Sequence, residues 1–85
     1  MQYALFVFSA RDGAMALLDY CLTHRVGATV VNTPRELATS CGISVKTSPR
    51  DATRISGVVT KIPTYVGTYL VNATLTHRSI VRLYN

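Results

Sequence analysis

The chain has 85 residues, nine basic against four acidic, for a net charge of +5. That length supports one domain with one modest core, and no apolar run approaches the ~20 residues that a membrane helix needs. The basic balance fits a solvated basic surface with no ligand or, as the alternative, attraction to an anion (nucleic acid, phosphate or an acidic protein), and charge alone does not choose among them. At 15% charged residues, against about 25% in an average soluble domain, part of the surface is expected to lie under another copy or a partner.

Tyr3 to Phe8 is aromatic and β-branched, with apolar residues on both faces, which predicts a strand in the middle of a sheet. Ser9, followed by Asp12, has the spacing of a capping box and predicts a helix from about Ala10. Ala14, Leu18, Cys21 and Leu22 are its expected buried stripe, His24 and Arg25 suit its last turn, and Gly27 is placed to end it. Ala28 to Asn32 predicts a second strand. Thr33-Pro34-Arg35-Glu36 repeats the helix-start signal, and the helix must be short because Gly42 and a strand over Ile43 to Thr47 follow closely.

Ser48-Pro49-Arg50-Asp51 gives the signal a third time. Ala52, Ile55, Val59 and Ile62 continue it as an amphipathic helix, with Gly57 as a weak point and Pro63 as the stop. Thr64 to Val71 predicts a fourth strand, and Ile80 to Tyr84 in the tail could add a fifth. The expected fold is therefore α+β, a ferredoxin-like β-α-β-β-α-β two-layer sandwich with a short extra helix between strands 2 and 3. Residues 1–71 form the single domain, and 72–85 are an extension able to add or exchange a strand.

Asp12, Glu36 and Asp51 all sit at the third position of a predicted helix, and the only other acid, Asp19, lies mid-helix. Acids tied up in caps argue against paired-carboxylate catalysis and against a hard-metal site. Cys21 and His24 are three apart on one helix, but no CxxC or HxxxH pattern joins them or His77. No GxGxxG, P-loop or GxSxG motif occurs. Neither a metal nor a cofactor is expected.

Cys21 falls on an apolar stripe and is expected to be an inert, buried thiol. Cys41 is the candidate for chemistry. It follows Thr39 and Ser40 and precedes Gly42, where a glycine would leave room for a ligand or partner beside the sulfur. A helix end would not activate a thiol, so activation falls to loop amides, the Thr39 or Ser40 hydroxyls, or the Arg35 cation. Two unpatterned cysteines, with no basic residue ahead of the apolar opening Ala4 to Phe8, point to a reducing cytoplasm and a free thiol. The Asn72-Ala73-Thr74 sequon is then expected to be unused.

The run Thr33-Pro34-Arg35-Glu36-Leu37-Ala38-Thr39-Ser40-Cys41-Gly42-Ile43 resembles the signature of a small bacterial family described as putative selenium/sulfur carrier protein-like. Its members open with a strand ending in Phe and Ser, then a helix, then a strand leading into Thr-Pro-Arg-Glu and Ser-Cys-Gly. Residues 1–47 follow that plan, residues 48–71 follow it as helix plus strand, and the tail has no counterpart. The resemblance implies that Cys41 holds sulfur or selenium as a persulfide or selenenyl-sulfide and passes it to sulfur- or selenium-transfer proteins. Arg35, Ser40 and Gly42 would support it. Such a protein is a carrier more than a stand-alone enzyme.

Two other readings remain. One is a basic module binding nucleic acid or another anion, with Arg50, Arg54 and Lys61 as a stripe and Tyr3, Tyr65 and Tyr69 for stacking. The other is a regulatory or structural partner domain, in which the apolar tail Ile80, Val81, Leu83 and Tyr84 pairs with a sheet edge or with a second copy as a homodimer.

Overall fold

The computed structural model describes residues 1–37 and 42–84. In chain order it contains β1 (Gln2–Phe8), α1 (Arg11–Thr23), β2 (Ala28–Asn32), a 3-10 turn (Arg35–Leu37), β3 (Ile43–Thr47), α2 (Pro49–Val59), β4 (Tyr65–Ala73) and β5 (Arg78–Tyr84). The five strands form one sheet in the order β2-β3-β1-β4-β5, and every neighbouring pair is antiparallel.

β1 is the central strand because both of its faces are apolar. Ala4, Phe6 and Phe8 point to the side carrying both helices, and Leu5 and Val7 point to the other; all five are buried. On the helix side, Ala14, Leu17 and Cys21 of α1 and Ala52, Ile55 and Val59 of α2 close over Phe6, Phe8 and Val45. Full burial of a side chain such as Ile55 or Phe6 stabilises by about 1.5–3 kcal/mol, so this layer holds the fold together. The opposite face carries a smaller cluster, Leu5, Val7 and Val71, with Tyr3, Val31, Leu37, Val66, Tyr69 and Ile80 packed around it.

The three helix-start signals have different outcomes. Ser48 caps α2 as expected, its Oγ accepting from the Asp51 N–H at 3.1 Å. Ser9 does not cap α1. Its N–H donates to the Thr64 carbonyl at 2.8 Å, holding the strand end against the start of β4, and Ala10 stands at the cap position without a side-chain bond. Thr33 turns its hydroxyl to Ser44 Oγ at 2.6 Å, joining the end of β2 to β3. A strand connection was nearer to hand than the helix backbone in both corrected cases.

α1 buries Leu17 where the sequence stripe has Leu22; Leu22 is 68% exposed. α1 also ends at Thr23, well before Gly27. His24 is the C-cap, Arg25 takes the left-handed conformation (φ 59°), and the Val26 N–H donates to the Cys21 carbonyl at 2.8 Å. This is a Schellman closure with arginine at the position glycine usually occupies. The buried pair Cys21 and Val26 supplies the apolar contact that accompanies it, which is why the helix stops there. α2 ends at Val59, ahead of Pro63, and Ile62 packs on the core from the turn that follows.

Candidate functional site

β2 and β3 form an antiparallel pair from Ala28↔Thr47 to Asn32↔Ile43. Beyond that pair the Thr33 N–H donates to the Gly42 carbonyl at 3.0 Å. Together with Thr33 Oγ1 to Ser44 Oγ, this bond closes the base of the segment between residues 33 and 42. Within it the Leu37 N–H donates to the Pro34 carbonyl at 3.0 Å and forms the Arg35–Leu37 turn. Cys41 and Ser40, together with Ala38 and Thr39, lie outside the described residues.

Two side chains of the turn fix its course. Leu37 packs on the Leu5, Val7 and Val71 cluster. Glu36 accepts from Arg78 Nη2 through both carboxylate oxygens, each at 2.9 Å. Arg78 opens β5, at one edge of the sheet, whereas the segment springs from β2 and β3 at the other edge. The Arg35–Leu37 turn therefore lies across the sheet face opposite the helices. The Glu36 carboxyl is held below its usual 4.5, first by a hydrogen bond from its own backbone N–H, then by Arg78 and by the charge of Arg35.

Arg35 is exposed on this turn. Gly42 has φ +79°, and a Cβ built on it would meet nothing within 4 Å. That backbone conformation is one glycine adopts readily, and the space beside it is open. Gly42 turns the chain from the signature segment into β3.

Cys21 is a free thiol, fully buried in the main core. Burial raises its pKa above 9.0, and the charge of Asp51 adds to the shift. A neutral, enclosed sulfur of this kind is a poor nucleophile. His24 stacks on Tyr20 with centroids 3.8 Å apart and donates from Nδ1 to the Tyr20 carbonyl at 2.9 Å. His24 is exposed while Cys21 is enclosed, so the two do not share a binding face. Among the described residues no three His, Cys, Asp or Glu side chains gather closely enough to hold a metal ion.

The carboxylates of two of the acids expected in caps form ion pairs. Glu36 pairs with Arg78, and Asp51 accepts from Arg54 Nη1 at 3.1 Å. The groups of the anion-binding reading are also divided. Tyr65 packs edge-on against Phe8 on the helix side, whose α2 carries Arg50 and Arg54. Tyr3 and Tyr69 lie on the opposite face. There, Lys46 Nζ sits 4.4 Å above the Tyr3 ring, and the Arg82 guanidinium lies 5.4 Å from the Tyr69 ring centre. Arg82 also donates to the Tyr69 hydroxyl at 2.9 Å and to the Val66 carbonyl at 3.0 Å. Sequence reasoning missed Lys46, Arg78 and Arg82; the period-two spacing of Arg78, Ile80 and Arg82 was the available signal that the two arginines share a strand face.

Among the described residues no helix is long and apolar enough to cross a membrane. No curated protein and no solved structure matches the chain. A family model does, over residues 3–68, a span that contains the whole Thr33 to Ile43 run and the start of β4. β5 lies outside it. The chain belongs to the family described as "Putative Se/S carrier protein-like".

Proposed function

We propose that this protein carries sulfur or selenium on the Cys41 thiol and delivers it to a partner protein. The family match over residues 3–68 carries this reading. The burial of Cys21 supports it by leaving Cys41 as the thiol with a role to fill.

The transfer needs no further catalytic group on the carrier. The Cys41 thiolate attacks the outer sulfur of a donor persulfide. A bond forms from Cys41 Sγ to that sulfur, the donor S–S bond breaks, and the donor thiolate leaves with the electron pair. An acceptor thiolate repeats the step and restores the Cys41 thiolate. An outer selenium atom follows the same course and gives a selenenyl-sulfide. Neither step consumes an oxidant. Arg35 supplies positive potential in the same segment, and Glu36, the acid nearest to it in sequence, is balanced by Arg78. Ser40 is assigned as a hydroxyl donor to the sulfur and Gly42 as the turn that presents it.

The scaffold is read as ferredoxin-like, with residues 1–71 as the carrier-type domain and 72–85 as an added strand. The order β2-β3-β1-β4 and the end of the family match at Thr68 support this division. A reducing cytoplasm is the compartment in which such a thiol would work.

Intact mass after incubation with a cysteine desulfurase and cysteine, or with a selenide-loaded donor, tests the reading. One added sulfur or selenium atom is expected, absent from Cys41→Ser and retained by Cys21→Ala. A chain that gains neither element while a control acceptor does would overturn it.

A further inference from the structure

β5 is the outer strand of the sheet beyond β4. Val81, on its helix side, is 57% exposed, and Leu83, at the bulge, is 44% exposed, although the strand ladder places Val81 in the same row as Leu70 and the buried Ala4. The helix layer is built over β1 and β3, where Ala4, Phe6, Phe8 and Val45 lie. The sheet thus ends in an apolar margin beside an open backbone edge. Open edges are commonly protected by proline, lysine, a bulge or an inward-pointing charge. β5 contains neither proline nor lysine. Its arginines fold back over their own chain, Arg78 to Glu36 and Arg82 to Tyr69 and Val66. Its bulge falls beyond Arg82, where the pairing passes from Tyr69↔Arg82 to Thr68↔Tyr84, and the stretch from Arg78 to Arg82 is regular.

We infer that β5 pairs antiparallel with β5 of a second copy, on a two-fold axis at Val81, joining the two sheets into one. Charge disfavours the registers on either side of this one. A two-fold axis at Ile80 would set Arg78 opposite Arg82 of the other copy, and an axis at Arg82 would set that residue opposite itself. Like charges directly opposite each other destabilise a strand pair. With the axis at Val81, Arg82 faces Ile80 of the partner, Val81 faces Val81, and Leu83 falls beside Ser79. The apolar margins of the two copies then meet on the helix side, continuous with Leu70. An isologous contact of this kind closes after two copies and leaves no open end along β5. Because β5 lies outside the family match, the pairing belongs to this chain's extension and does not depend on the carrier reading.

Sedimentation equilibrium of the full chain over a wide concentration range tests the proposal. A dimer is expected, and Val81→Asp, which sets two carboxylates face to face, should weaken association at least about tenfold. Circular dichroism of that variant separates lost association from lost folding; if the variant fails to fold, Val81→Thr and the cross-link below decide. In a Cys41→Ser background, Val81→Cys should join to itself under mild oxidation, because directly opposed strand residues have the Cα separation a disulfide needs. Thr29→Cys, on the opposite edge strand, should not. A monomer at every concentration, a dimer indifferent to Val81→Asp, or cross-linking through Thr29→Cys in place of Val81→Cys would each overturn the proposal. A monomer that instead takes up a strand from another protein would overturn it as well.

Discussion

Arg78 Nη2 lies 2.9 Å from each carboxylate oxygen of Glu36, forty-two residues away in sequence. The contact ties the turn preceding the signature cysteine to the first residue of β5. Both side chains are substantially exposed, so the pair contributes little to global stability. Its consequence is positional, since it helps to hold the Arg35–Leu37 turn across the sheet face.

The first prediction concerns that contact. The Glu36 carboxyl should titrate below 4.5 in a pH series of side-chain carbon shifts. Arg78→Ala should move the midpoint only part of the way back, because the hydrogen bond from the Glu36 backbone N–H is the larger cause. The sign follows from linkage. A carboxyl whose folded pKa is depressed stabilises the fold above its unfolded pKa and loses that contribution as pH falls through the folded value. The contact should therefore persist at neutral pH and loosen only in acid. An unshifted Glu36 in the wild type would contradict it.

The second prediction separates the thiols. A small alkylating reagent should modify Cys41 in the native protein and reach Cys21 only on unfolding, because Cys21 is fully buried. Peptide mapping before and after denaturant checks this. Burial raises the Cys21 pKa, so its contribution to stability is complete below 9.0 and is lost as pH climbs through the folded value.

The third prediction contrasts two glycines within helices. A Cβ on Gly13 would overlap Thr64 Oγ1 and come within 2.9 Å of Phe8. Gly13→Ala should therefore lower stability by about 1–3 kcal/mol despite the better helix propensity of alanine. Gly57 has open space around it, and Gly57→Ala should raise stability by about 0.5–1 kcal/mol. Urea unfolding of the two variants should show opposite signs.

The fourth prediction uses the two left-handed residues. Arg25 holds φ 59° without the freedom of glycine. Arg25→Gly should stabilise the end of α1, by up to about 1 kcal/mol. Gly42→Ala should cost about 1–2 kcal/mol for the opposite reason, and it should also change the alkylation rate of Cys41, its sequence neighbour. Thermal unfolding and alkylation kinetics read the two effects separately.

Much of the fold was legible in the residues. β2 and β3 have the bounds that their sequence predicts, and Ser48 caps α2 as its spacing requires. These features depend on neighbours in sequence, where periodicity and capping act directly. The failures share one cause. Ser9 and Thr33 have sound capping spacing, yet Thr64 and Ser44, remote in sequence, offered them better partners. Leu17 displaced Leu22 from the stripe because the direction of the α1 buried face was set by Phe6, Phe8 and α2.

The sequence by itself determined the family signature, the candidate Cys41 and the alternation of strands and helices, because each is written in short-range patterns. Only the tertiary structure decided that Leu17 and not Leu22 is buried, that Tyr3 and Tyr65 lie on opposite faces, and that Glu36 meets Arg78. Those outcomes depend on which strands become neighbours in the sheet. That choice was made by burying both faces of β1 at once, a condition that no single segment of the chain expresses.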